Sequence, residues 1–329
     1  MWTSASIVGS YQSRPVGQQL KQHGIALVIV LWVVTLLSLI AASFIYAMRT
    51  DVQIVSNSIS ITQGQVIADA GVHRALLELY KPIQVPDRWN PNGEMHDWEY
   101  KGAKLRITIM DESGKIDING ATEALMRNLF VSKGVPEEEA NTLVDAINDW
   151  KDPDILKRLR GAEEPEYKAA GLSYKPANAP FQAPEELRLV LGMTSARYKL
   201  IENIITVYSR QPGVDAKIAS REVLLAIPNV TVAQVDEYIG LREQARATKQ
   251  FVPPFSAGGP YLSVGSGFIA SVRSEATMPD GVLFIRDAVV MKAPNPKRPY
   301  VFLSWKEGTA GAATPVAGVA SAIGQVDLK

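Results

Sequence analysis

The 329 residues include no cysteine, so no disulfide braces the chain and no thiolate is offered as nucleophile or metal ligand. Histidine is scarce: His23, His73 and His96 stand far apart, in no spacing that a zinc site uses. No P-loop sequence and no Gly-x-Ser-x-Gly elbow occurs, and Gly265-Ser266-Gly267 reads as a loop or strand kink. Lys plus Arg and Asp plus Glu both number 34, and zero net charge removes the field that a dedicated polyanion binder needs. With no catalytic constellation in view, the chain is expected not to be an enzyme.

The absence with the largest consequence is local. Residues 1–24 carry Arg14, Lys21 and the titratable His23 but no Asp or Glu, and Ile25 to Ala47 carries no charge at all. As a helix this apolar run reaches about 35 Å, enough to cross a hydrocarbon core of about 30 Å. The positive-inside bias holds the N-terminus in the cytoplasm and exports everything beyond Ala47; Arg49, offset by Asp51, does not reverse it. A cleaved secretory signal has an apolar core of about 7–15 residues, shorter than this one, although Ala41-Ala42-Ser43 has the small residues of a cleavage site. A plain anchor gives no reason for Gly24 to stand at the cytoplasmic lip, directly before the apolar run.

Helical character continues through Val52, Val55, Ile59, Val66, Ala70, Val72, Leu76 and Leu79 and stops at Lys81-Pro82. Joined to Ile25–Ala47, this predicts one helix about 80 Å long, with Gly64 or Gly71 as candidate kinks. Residues 83–97, rich in Pro, Asn and Asp, read as a loop. Lys104–Met110 alternates polar and apolar as a strand does. Strand patterns return only at 267–276, at 282–291 beyond the turn Met278-Pro279-Asp280-Gly281, and at 300–305. A long helix-patterned stretch thus splits the sheet, as an inserted domain would. The expected segments are a leader at 1–24, a transmembrane helix at 25–47, a sheet domain at 48–113 and 251–306, a helical insert at 114–250, and a disordered tail at 307–329.

The insert repeats a pattern: a capped helix, a turn through Gly or Asn, an apolar plug, then a helix opened by Thr or Pro. Thr122-x-x-Leu125 leads to Gly134-Val135-Pro136, Pro184-x-x-Leu187 to Gly192-Met193-Thr194, and Ser220-x-x-Val223 to Asn229-Val230-Thr231. No single hairpin buries its apolar face alone, so the three are expected to pack as one unit. They resemble helix-hairpin-helix and SAM-like folds, some of which grip nucleic acid. Charge argues against that use. Residues 114–154 hold nine Asp/Glu against four Lys/Arg, which repels phosphate, and the turn Pro228-Asn229-Val230-Thr231 lacks the paired glycines that let backbone N–H groups approach it.

Asp149, Asp152 and Asp154, followed by Gly161-Ala162-Glu163-Glu164, gather carboxylates in a short loop. Asp152, Asp154 and Glu163 fit positions 1, 3 and 12 of an EF-hand, but Lys157 stands where that loop needs Gly and Leu156 where it needs an oxygen, so it is not one. Two readings remain open: a solvated loop whose acids pair with Lys151, Lys157, Arg158 and Arg160, or a structural calcium site offering hard oxygen ligands only.

The leader and apolar helix resemble the prepilin-type signal of type IV pilins and type II secretion pseudopilins. That resemblance implies cleavage after Gly24 by the prepilin peptidase and N-methylation of Ile25. The family normally has Glu at the fifth mature position, and this chain has Ile29 there. In the family that carboxylate is taken to neutralise a neighbour's N-terminal amine, and a buried unpaired ammonium is costly. A subunit without it is best tolerated at a filament tip. The long helix, the split sheet and the helical insert together resemble the K-type minor pseudopilin of type II secretion, over most of residues 20–305. Gly114–Asn119, Asp149-Trp150-x-Asp152-x-Asp154, Gly161-Ala162-Glu163 and Ala183–Arg188 carry the likeness.

The likeness implies an α+β fold: a long N-terminal transmembrane helix packed on a small antiparallel, pilin-like sheet, with an all-α, SAM-like helical-hairpin domain inserted. It implies a non-enzymatic subunit of the bacterial inner membrane, single-pass, its N-terminus cytoplasmic and its bulk periplasmic. The implied partners are the I- and J-type minor pseudopilins, the major pseudopilin and the prepilin peptidase, with no nucleic acid. Calcium is implied at Asp149, Asp152, Asp154, Glu163 and Glu164. A membrane-tethered nucleic-acid receptor, as in competence systems, and a minor pilin of a type IV pilus are the competing readings.

Overall fold

The computed structural model describes residues 23–82, 84–265 and 267–309; most of the expected leader and of the expected tail lies outside them. The described residues fall into two units, parted between Ile61 and Thr62. The first is the apolar part of helix α1, His23–Tyr80, and Gly24 and Ile25 fall in its opening turn. Its side chains from Ala26 to Arg49 are exposed, Leu27, Trp32 and Leu39 among them, and mean hydropathy reaches 2.7 over its most apolar window. The helix is long and apolar enough to cross a membrane. Its few hydroxyls are satisfied internally: Thr35 Oγ1 donates to the Leu31 carbonyl at 2.7 Å and Ser38 Oγ to that of Val34 at 2.8 Å.

In the second unit the rest of α1 buries one stripe: Ile67, Ala68, Val72, Ala75, Leu76 and Leu79. The stripe packs with Leu105, Ile107, Val272, Ala276, Ala288 and Val290 of a sheet. The helix runs unbroken through both expected glycines. Gly64 leaves room for the Phe284 ring, and Gly71 for Ser274 and Leu105; a Cβ at either place would overlap those side chains. The glycines let helix and sheet approach closely.

The sheet is antiparallel. Strands β1 (Asn92–Tyr100) and β2 (Ala103–Asp111) form a hairpin through Lys101 and Gly102, both with positive φ. Residues 92–97, expected in a loop, are therefore strand. Beyond β2 the chain departs as the insert, returning as β5 (Ile269–Thr277), β6 (Leu283–Asn295) and β7 (Arg298–Glu307). The order β1-β2-β5-β6-β7 sets β2 directly beside β5, with Lys104 opposite Thr277 and Asp111 opposite Ala270.

The insert opens with β3 (Ile116–Asp117), α2 (Glu123–Ser132) and α3 (Glu137–Lys151). Next come α4 (Glu164–Ala169) and a 3-10 turn at Pro184–Leu189, then α5 (Ser195–Ile201), β4 (Ile205–Thr206), α6 (Arg221–Leu225) and α7 (Val232–Ala247). Thr122, Thr194, Ser220 and Thr231 each cap a helix through the side-chain oxygen, as the repeat predicts. In the second pair the 3-10 turn replaces a helix. The insert is not wholly helical either: β3 and β4 pair in parallel, Ile116 with Ile205. One apolar cluster runs through all three pairs, from Leu125, Phe130, Leu143 and Trp150 through Leu187 and Tyr198 to Val223, Val235 and Tyr238. Fully burying such a Leu or Val contributes about 1.5–3 kcal/mol, which no isolated pair obtains.

Candidate functional site

Three of the expected carboxylates sit at the C-terminal end of α3, where the helix dipole favours cations and disfavours anions. Asp149 is fully buried and accepts the Arg158 N–H at 3.2 Å on both oxygens. Gly161 lies against that carboxylate so closely that a Cβ there would overlap it, which accounts for glycine at this position. Glu163 is buried, and its Oε1 has no partner; Asp152 Oδ1 is likewise buried and unpartnered. Asp154 is exposed and accepts the Leu156 N–H at 2.8 Å.

Electrostatics ties these groups together. Burial pushes the Asp149 carboxyl above its ordinary range, opposed by the Arg158 N–H and reinforced by the charge of Asp152. Asp152 is raised by burial and then by Asp154. Glu163 is raised by burial and then by Asp149, Asp152 and Asp154 in turn. Each acid therefore disfavours ionisation of the next.

The basic residues interleaved with them pair elsewhere. Lys157 holds Glu166 at 2.8 Å, Arg158 holds Glu123 at 2.7 Å, and Arg160 holds Glu138 at 3.0 Å. Lys151 points away and donates to the Ile118 carbonyl at 2.9 Å. Arg158 lies 4.0 Å from Asp149, and among the described residues no Lys or Arg pairs with Asp152, Asp154 or Glu163. Glu164 stands apart from the cluster, held by Lys168 at 2.6 Å and Lys175 at 3.4 Å. Among the described residues no three acids converge as an assembled metal shell. What exists is a pair of unpartnered buried oxygens, at Asp152 and Glu163, of the hard-donor type.

Residues not anticipated from the sequence complete the surroundings. Asp145, one turn before Asp149, accepts the Arg160 N–H at 3.2 Å, and its four-residue spacing from Asp149 was the available signal. Beneath the loop Trp150 stacks on Phe181 at 6.1 Å and lies 6.0 Å from Tyr167. The Tyr167 hydroxyl accepts the Leu191 N–H at 2.9 Å, and burial pushes that phenol up to about 12. The loop thus rests on an aromatic floor while Asp152, Asp154 and Glu163 have no Lys or Arg partner among the described residues.

An apolar N-terminal helix and an antiparallel sheet interrupted by an insert make up an α+β architecture. Comparison with known proteins narrows this. Residues 108–210 match the family described as Type II secretion system (T2SS), protein K. Type II secretion system protein K of Pseudomonas aeruginosa is 26% identical over 242 residues, covering 67% of this chain and 72% of that protein. Its counterpart in Klebsiella pneumoniae is 24% identical over 199 residues, covering 54% of this chain and 60% of that protein. The fold is similar to a chain in the crystal structure of the GspK-GspI-GspJ complex from the enterotoxigenic Escherichia coli type 2 secretion system. That match has a TM-score of 0.57 at 15% identity and covers 78% of this chain and 99% of the other. The resemblance read from the sequence is borne out: the chain is similar to type II secretion system protein K, in keeping with a minor pseudopilin role.

Proposed function

We propose that this chain is a structural, non-enzymatic minor pseudopilin that acts at the tip of the type II secretion pseudopilus, initiating or capping its assembly. The observation that carries the reading is the insert between neighbouring strands β2 and β5, whose first part lies in the segment matching the protein K family. A bulky insert obstructs the stacking of further subunits upon it, and Ile29 leaves the chain without the carboxylate that a subunit inside the filament would supply. In this reading the prepilin peptidase cleaves after Gly24 and Ile25 is N-methylated. The helix from Ile25 spans the inner membrane with the bulk in the periplasm. The insert is SAM-like, and the I- and J-type minor pseudopilins and the major pseudopilin are the partners.

Asp149, Asp152, Asp154 and Glu163 would hold calcium, which supplies the positive charge that the loop lacks. Glu164 joins only by leaving Lys168 and Lys175. The metal's role is then structural: Asp149 keeps the Arg158 N–H, Gly161 keeps the approach open, and the acids hold the loop on its aromatic floor.

Co-purification of the full chain in detergent with the I- and J-type subunits of the same organism, in calcium and in chelator, tests this. A ternary complex is expected, with the chain melting higher in calcium. Absence of any complex, with salt-sensitive DNA retention instead, would establish the receptor reading.

A further inference from the structure

The loop over the acid cluster exposes apolar side chains where a solvated loop would carry polar ones. Ile155 is 78% exposed, Leu156 75% and Leu159 87%, and Leu159 is the most exposed large apolar residue among those described. The backbone that carries them is pinned. Leu156 N–H donates to Asp154 at 2.8 Å, Arg158 N–H to Asp149 and Arg160 N–H to Asp145 at 3.2 Å, while Asn178 Nδ2 holds the Asp154 carbonyl at 2.7 Å. Carboxylates and an amide fix the loop from below while its aliphatic side chains face water. A segment free to collapse would bury them; this one presents them.

We infer that Ile155, Leu156 and Leu159 form a docking tip for a protein partner whose surface offers an apolar pocket rimmed by Lys and Arg. Charge selects that occupant. Residues 137–166 carry ten Asp/Glu, eight of them at least partly exposed, against four Lys/Arg, so the tip projects from an acidic surround. Lys157, Arg158 and Arg160, which a lipid-binding loop would turn to phosphate, are engaged by Glu166, Glu123 and Glu138. An anionic membrane is repelled by this surround, whereas a basic-rimmed pocket is attracted and aligned by it. The inference goes beyond the role in secretion and does not require calcium.

The test uses the full chain in cells, with a photo-crosslinking amino acid at Leu159 and, as control, at Glu237 on the exposed face of α7. The expected result is one discrete protein adduct from position 159, absent from 237, whose crosslinked peptide is apolar and flanked by Lys or Arg. The double variant I155S/L156S should weaken that adduct at least about tenfold, as loss of a central apolar anchor does. The variant's melting temperature should stay unchanged, because the side chains removed touch solvent. Adducts no stronger than those from 237, adducts only to phospholipid, or an adduct indifferent to I155S/L156S would overturn it. Co-purification of I155S/L156S with the I- and J-type subunits keeps the two readings separable: its loss there in parallel with wild type speaks to the secretion role and leaves the crosslink to judge the tip.

Discussion

Among the places where this protein buries carboxylates, Glu78 and the acid loop treat them oppositely. Glu78, on α1 against the sheet, is fully buried and lies 2.8 Å from Arg74 and 2.7 Å from Lys81. Burial alone would push it up, but Lys81, the Trp89 N–H and Arg74 outweigh that and hold it below its ordinary value. Asp149, Asp152 and Glu163 are also taken from water, yet their nearest charged influences include one another and all three are raised. The chain supplies its own counterions at the first site. At the second it places its cations on outlying acids, and the charge balance is left for something from outside.

That contrast can be broken most forcefully at Gly161. Gly161→Ala drives a methyl into the buried Asp149 carboxylate, and a loss of about 3 kcal/mol is expected in denaturant unfolding, with any calcium response weakened as well. Glu78→Gln comes next. It leaves Arg74 and Lys81 without their acid, but both are partly exposed and can rehydrate, so about 1–2 kcal/mol is expected, with no change in calcium response.

The smallest effect has the most informative sign. Asp152→Asn removes one charge from a repelling cluster and should leave the metal-free protein as stable as wild type or a few tenths of a kcal/mol more so. It should also cut the stabilisation by calcium, which for a single site reaches about 2.7 kcal/mol at one hundred times Kd.

Titration sharpens the same comparison. Carboxyls raised in the folded state stabilise it most once protonated, so the metal-free acid loop gains stability as pH falls from neutral towards its ordinary carboxylate values and loses it as pH rises through the raised ones. Glu78, being lowered, gives stability that is present above its ordinary value of 4.5 and is lost as pH falls through the folded one. Thermal melts of Asp152→Asn and Glu78→Gln across pH 4–7 should therefore deviate from wild type in opposite directions.

Sequence pattern exposed the parts whose physics is local. Apolar periodicity gave α1 and the strands β2, β5, β6 and β7, and hydroxyl caps at Thr122, Thr194, Ser220 and Thr231 marked four helix starts. Strand β1 was hidden because it is a sheet edge: Glu94, Asp97 and Glu99 are exposed, and the alternating partners His96, Trp98 and Tyr100 are only half-buried, with Trp98 stacked on Tyr100 at 4.9 Å. The two-residue pair β3 and β4 is too short for any period to register. At the acid loop the right residue types were legible and their partners were not. Spacing could not tell that Arg158 turns to Glu123 and Lys151 to a backbone carbonyl, because those choices are made by tertiary packing.

The neck of the insert has a kinetic consequence. Strands β2 and β5 are hydrogen-bonded neighbours, yet everything from Glu112 to Phe268 lies between them along the chain. Zipping them early would require closing a very long loop, a slow step when the loop is floppy. The insert shortens that search. Parallel pairing of Ile116 with Ile205, the Asp215 N–H on the Ser113 carbonyl at 2.8 Å and the Ser263 N–H on the Val214 carbonyl at 2.9 Å draw its entry and exit together. A folded insert therefore delivers β2 and β5 already adjacent, so the sequence-distant contact becomes a local one and the sheet can close last.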